Sequence, residues 1–209
     1  MKLIITVLIV FIVLILSEFW WRRKNVHGEF SRKVVHISIG SFVAFWPFFL
    51  SWNDIKFLSL AFLIVISISK YLKVFHSIHS VQRPTFGELY FAISVGVIAF
   101  VTADKWIYMT SLLLMSLADG LAAVIGVHYG KNNRYKVFGQ TKSIVGTATF
   151  CIVALLILVF YSVYAPQVRF QLSFIGLALI ATGLENVAIA GLDNLLVPLS
   201  AATILSLVH

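Results

Sequence analysis

Acidic residues are scarce in this sequence. Eight Asp and Glu stand against sixteen Lys and Arg in 209 residues, and charged side chains make up only 11% of the chain. A soluble domain carries about 25%, so an ordinary water-facing surface is excluded. Cysteine is almost missing: Cys151 stands alone in an apolar run, which rules out an intramolecular disulfide and reads as a small lipid-facing residue rather than a redox centre. Zinc-ligand spacing is absent, as are the G-x-x-x-x-G-K-[ST] phosphate loop, internal repeats and low-complexity stretches. No A-x-A-like cleavage site follows the apolar run at 3–16. Ser17-Glu18-Phe19-Trp20-Trp21 ends in an aromatic pair suited to a membrane interface, so that run reads as a first spanning helix.

What is abundant is apolar side chain, 60% of the residues. A bilayer core takes about 20 residues of apolar helix, somewhat fewer in a short span. With that ruler the spans fall at 3–20, 34–50, 56–72, 87–103, 106–127, 143–163, 171–188 and 194–208. The expectation is an all-α polytopic membrane bundle with seven or eight transmembrane helices, forming a single domain over 1–209. The last two spans are the least regular, because Glu185, Asp193 and Asn194 fall between them.

The formal charge of +8 is unevenly distributed. Arg22, Arg23, Lys24, Arg32, Lys33, Lys70, Lys73, Arg83, Lys131, Arg134, Lys136 and Lys142 all fall on one side of an eight-span topology. Lys2, Lys56, Lys105 and Arg169 fall on the other. The positive-inside rule then puts the three basic loops in the cytoplasm and both termini on the opposite face. The excess charge is accounted for by topology, with no nucleic acid implied; a homo-oligomer stays open.

The unusual polar residues fall on the same, cytoplasmic side. Asp119 lies inside the fifth apolar run, where a carboxylate needs a cation, a donor or water and marks a functional site. Its partner is expected to be a metal ion or a paired Arg or Lys. From Asp119 a smooth stripe of Ala122, Ala123, Gly126 and Gly130 follows at helical spacing, which also suits close helix packing. A basic loop with Lys131, Arg134 and Lys136 leads to Lys142-Ser143 and a new apolar run. Thr141 or Ser143 is placed to cap that helix, whose N-terminal N–H groups, with Lys142 beside them, form an anion site.

Arg32, Lys33 and His36 open the second span ahead of Gly40, two cations and an imidazole suited to phosphate. Glu185, Asp193 and Asn194 add two carboxylates near the same face, with Pro198 expected to break the helix and free backbone carbonyls. Asp119 with Asp193 or Glu185 makes an oxygen-rich set suited to Mg²⁺ bound together with phosphate. The same acids are also able to pair with Arg32, Arg83 or Lys142 when no ligand is present.

Together these segments resemble the CTP-dependent polyprenol kinase family, which includes dolichol kinase, phytol kinase and a CTP-using diacylglycerol kinase and is related to the CDP-diacylglycerol synthases. The resemblance is carried by Arg32-Lys33-x-x-His36-x-x-x-Gly40, Arg83 with Gly87-Glu88-Leu89-Tyr90-Phe91, and Asp119-x-x-Ala122-x-x-x-Gly126-x-x-x-Gly130-Lys131. It continues through Lys142-Ser143-x-x-Gly146 and Glu185…Asp193-Asn194-x-x-x-Pro198. In one position the chain departs: Val145 stands where the family's Lys-Ser-x-Glu-Gly segment has Glu.

The resemblance implies phosphoryl transfer from CTP, a nucleoside triphosphate, to an isoprenoid alcohol such as a polyprenol, dolichol or phytol, with Mg²⁺. It implies catalytic roles for Asp119, Lys142, Glu185 and Asp193, with Asp119 and Asp193 on the metal. Nucleotide contacts would come from Arg32, Lys33, His36, Arg83, Gly126, Gly130, Lys131, Lys142, Ser143, Gly146 and Asn194. Two rival readings use the same polar face: a phosphatidate cytidylyltransferase, which would release pyrophosphate, and a small-anion transporter without chemistry.

Overall fold

The computed structural model describes residues 1–24, 29–72 and 86–208. Within them the chain is built from α1 (Lys2–Lys24), α2 (Glu29–Ala44), α3 (Trp52–Leu72), α4 (Gly87–Val101), α5 (Lys105–Tyr129), α6 (Ile144–Tyr164), α7 (Leu172–Val187) and α8 (Asp193–Val208). Each apolar run of the sequence corresponds to one helix. α2 moves furthest from expectation, to 29–44 rather than 34–50, because Pro47 opens a separate 3₁₀ turn at Trp46–Phe48. Proline has no N–H to continue a helix but fits the first turn of a new one. α5 and α6 are long and apolar enough to cross a membrane; Lys2–Ser17, α4, α7 and α8 are apolar but shorter.

α5 is the centre of the bundle. Every residue from Ile107 to Ser116 is buried, under α2, α6 and α8. A helix that is apolar on all sides has no face to give to water, so it takes the middle. α4 packs on α3 and α8, and α7 on α6 and α8. Just before Asp119, residues Leu114–Ala118 widen into a π-helical turn, an irregularity common at functional sites.

At one end of the bundle the two acids serve as helix caps. Asp104 accepts from the N–H groups of Trp106 and Ile107 at 2.7 and 3.0 Å and starts α5. Ser51 and Asp54 cap α3 reciprocally: the Asp54 N–H donates to Ser51 Oγ, and the Ser51 N–H and Oγ–H donate to Asp54 Oδ2. The remaining acids with described side chains, Glu88, Asp119, Glu185 and Asp193, are all engaged at the other end.

Two features refine the expected helical chain. The segment after α5 forms a β-hairpin, β1 (Arg134–Val137) and β2 (Gln140–Ser143), with Tyr135 opposite Lys142 and Val137 opposite Gln140. Its two-residue turn places Phe138 at φ 45° and Gly139 at φ 79°, the double positive φ that matches strand twist.

The expected break at Pro198 does not occur, and α8 runs through it. The proline leaves the Asn194 carbonyl without its helical donor. Ser94 Oγ on α4 supplies one instead, at 2.6 Å, in a fully buried contact.

Candidate active site

α2 and α5 approach each other at glycines. A Cβ on Gly40 would lie 2.3 Å from Ser116 Cβ, and one on Gly120 would lie 2.1 Å from Ile37 Cγ1. At the same helical interface, toward the polar end, Lys33 Nζ meets Asp119 Oδ2 at 2.5 Å, with both side chains nearly inaccessible. The partner expected for Asp119 is thus a lysine. His36 sits one turn along α2. Its Nε2 lies 3.2 Å from the Met115 carbonyl of the π turn and 3.6 Å from Asp119 Oδ2, and its ring packs edge-on to Phe91. Arg32 turns the other way, toward Glu88 on α4 at 3.8 Å.

The hairpin builds the second half of the site. Side chains alternate along a strand, so Tyr135, Gln140 and Lys142 share the face turned to α7. Lys142 Nζ donates to Glu185 Oε1 at 2.5 Å and to the Glu185 carbonyl at 2.9 Å. The second bond satisfies an otherwise orphaned carbonyl at the α7 C-terminus. Tyr135 Oη bridges Thr147 Oγ1 and Asn186 Oδ1. Gln140 Nε2 donates to the Ala188 carbonyl at 3.1 Å. The three contacts latch the hairpin along the end of α7.

Ser143 is the residue that caps α6, accepting the Gly146 N–H at 3.1 Å. Gly126, Gly130 and Gly146 pack around it. A Cβ on Gly126 would fall 2.9 Å from Ser143 Oγ, one on Gly130 2.4 Å from the same atom, and one on Gly146 3.0 Å from the Ala122 carbonyl. The small-residue stripe therefore serves close packing of α5 on α6.

α8 closes the cluster. The Asn194 amide donates to the Gly87 carbonyl at 3.0 Å, while the Phe86 N–H donates to the Ala190 carbonyl at 3.0 Å. These bonds tie the start of α4 to the α7–α8 connection. Asp193, at the head of α8, interacts electrostatically with Asp119, Lys33 and Lys142, and makes no ion pair within 4.0 Å among the described residues.

Four helices and the hairpin thus gather Lys33, His36, Asp119, Lys142, Glu185 and Asp193, with Arg32, Glu88 and Asn194 beside them. Lys131 is exposed on the loop before the hairpin, and Arg83 lies outside the described residues. Val145 is half-buried in the first turn of α6. Tyr135, Gln140 and Thr147 are the residues that sequence reasoning passed over. The signal for Tyr135 and Gln140 was the alternation 135, 137, 140, 142, which becomes visible only once 138–139 is recognised as a turn.

Two carboxylates in electrostatic range repel each other, and a cation between them relieves that. Asp119 and Asp193 offer carboxylate oxygens, the donor type a hard divalent ion takes, and the Lys33 ammonium is in electrostatic range of both. Among the described residues no group of three or more His, Cys, Asp or Glu is gathered as a ligand set.

No family model matches the chain, and no solved structure matches it. Two curated proteins are similar to it over most of its length. A phytol kinase from Synechocystis sp. is 33% identical over 200 residues, covering 92% of this chain and 84% of that protein. A probable chloroplastic phytol kinase from Triticum aestivum is 31% identical over 204 residues, covering 85% of this chain and 67% of that one.

Proposed function

Since the chain belongs to the polyprenol and phytol kinase family, we propose that it is a multi-pass membrane kinase. It transfers the γ-phosphoryl group of CTP to an isoprenoid alcohol of the phytol type, at the cytoplasmic ends of its helices. One observation carries the placement of the site. Two lysine–carboxylate pairs, Lys33–Asp119 and Lys142–Glu185, lie at the same end of the bundle, each closed to 2.5 Å.

In this reading both pairs exchange partners when the nucleotide arrives. Lys33 and Lys142 pass to phosphate oxygens, and Arg32 adds a third cation. Asp119 and Asp193 would hold Mg²⁺, which neutralises phosphate charge when bound. Glu185, released by Lys142, takes the proton of the alcohol. The alcohol oxygen attacks the γ-phosphorus, the bond from that phosphorus to the β–γ bridging oxygen breaks, and CDP leaves with the electron pair. Such a reaction needs positioning and charge neutralisation more than covalent help from the protein. The alcohol reaches the site sideways from the bilayer, its tail remaining among the apolar helices. The choice of CTP follows the family resemblance.

The test is the fate of each phosphate. Protein in phytol-containing proteoliposomes with Mg²⁺ receives CTP radiolabelled at either the γ or the α position. The expected result is γ label in the organic phase and α label left in water. Lipid-borne α label would mean nucleotidyl transfer and would overturn the kinase assignment. Competition by unlabelled ATP, GTP and UTP tests the base.

A further inference from the structure

The outer face of the hairpin, apart from Ser143 at its base, is turned away from the site. Tyr135, Gln140 and Lys142 turn to α7, whereas Arg134, Lys136 and Thr141 on the opposite face are exposed, as is Lys131 just before β1. No acidic residue occurs between Gly130 and Ser143. At the tip, Phe138 is 76% exposed and sits at φ 45°. Both features are locally unfavourable. The first position of this turn favours Asn, Asp or Gly, and a β-carbon crowds the backbone in the left-handed region. The fold gives the ring no burial in return, so the reason for an aromatic here lies outside the described chain.

The position of the tip says what that reason is. Gln140, next to the turn, is bonded to the Ala188 carbonyl. This holds the tip at the level where α7 ends, near Val187 and Ile189, both exposed. At the base of the hairpin Tyr129 and Ile144 are exposed as well.

We infer that this face of the hairpin is a membrane-surface contact, in which Phe138 enters the headgroup layer and Lys131, Arg134 and Lys136 bind anionic lipid headgroups of the bilayer. The inference rests on the membrane-embedded reading above, which puts the helix ends at headgroup depth. Phe is among the apolar side chains that surface-lying basic segments sink into the headgroup and acyl boundary, and basic residues near an anionic leaflet each add to its hold. Arg134 and Lys136 stand two residues apart on one face of β1, with Lys131 exposed just before it, and such an exposed basic run suits a charged surface better than a single free phosphate. Because Lys142 is on β2, docking of the hairpin also holds the Lys142–Glu185 pair in place.

The experiment reads location rather than activity. A Cys151→Ala background receives Phe138→Cys carrying an environment-sensitive fluorophore. A second protein carries the same probe at Leu156→Cys, exposed midway along α6. Both are reconstituted in phosphatidylcholine vesicles with and without phosphatidylglycerol and quenched by doxyl-labelled lipid or by aqueous iodide.

The expected result is a blue-shifted probe at 138, quenched by the labelled lipid in anionic vesicles. Most of that quenching should be lost in neutral vesicles and in the Lys131→Gln/Arg134→Gln/Lys136→Gln variant. The inference is overturned if iodide quenches position 138 equally in both vesicles while the lipid label quenches position 156. The hairpin would then face water and whatever soluble partner lies there. If the lipid label reaches neither position, the membrane reading fails and this inference fails with it.

Discussion

Lys33 on α2 and Asp119 on α5 form a buried ion pair of 2.5 Å at the polar end of the bundle. Its removal from water makes each partner costly without the other. Asp119→Asn or Lys33→Met is therefore expected to lower stability by about 3–5 kcal/mol, the typical cost of stranding one buried charge. The double variant Lys33→Met/Asp119→Leu should regain most of that loss, yet transfer no phosphate. Thermal unfolding in detergent reads the stability, and lipid phosphorylation reads the rest.

The Lys142–Glu185 pair separates support from chemistry in a different way. Lys142 bonds both the carboxylate and the backbone carbonyl of Glu185. Lys142→Met should reduce kcat/KM about 10²–10³-fold, the loss typical when one charge-stabilising donor is removed. Lys142→Arg should not rescue it, since a planar guanidinium cannot reproduce both short contacts of a compact ammonium. Steady-state kinetics with varied CTP gives the answer; a wild-type rate in Lys142→Met would contradict a role for this lysine in transfer.

Ser94 and Pro198 are coupled through the Asn194 carbonyl, to which Ser94 donates and Pro198 cannot. Ser94→Ala leaves the buried Asn194 carbonyl without a donor, and should cost about 1–3 kcal/mol. With Pro198→Ala also present, the N–H of residue 198 returns to that carbonyl and most of the cost should disappear. A double-mutant cycle on unfolding would show the coupling, whereas additive losses would contradict it.

Two helical glycines should respond with opposite signs to the same substitution. Gly120→Ala drives a methyl group into Ile37 and should destabilise by about 1–3 kcal/mol through overpacking. Gly176→Ala meets nothing within 4 Å, and should stabilise α7 by roughly 0.5–1 kcal/mol through helix propensity alone. Unfolding midpoints of the two variants make the comparison.

Sequence periodicity and hydropathy gave away the helices because lipid-like runs leave few alternatives. They also gave the polar face, because an acid such as Asp119 cannot sit among apolar neighbours unassisted. The identity of its partner was not legible. Arg32 and Lys33 are adjacent, and only the close approach of α2 and α5 at Gly40 and Gly120 decides that Lys33 reaches Asp119. The hairpin stayed hidden because Phe138 occupies a turn position where Asn or Asp would have announced it. The continuity of α8 stayed hidden because the donor that compensates Pro198 lies a hundred residues away, on Ser94.

The most direct measurement is phytol-dependent transfer of γ label from CTP by purified protein, comparing wild type with Asp119→Asn. Thermal unfolding must confirm that both proteins are folded at the assay temperature. The account predicts labelled lipid from the wild type and a loss of at least about 10²-fold in the variant, the scale of losing one transition-state electrostatic group. A folded Asp119→Asn protein that transfers at the wild-type rate would contradict the placement of the site. A wild-type protein that binds CTP but labels no isoprenoid alcohol would contradict the reaction itself.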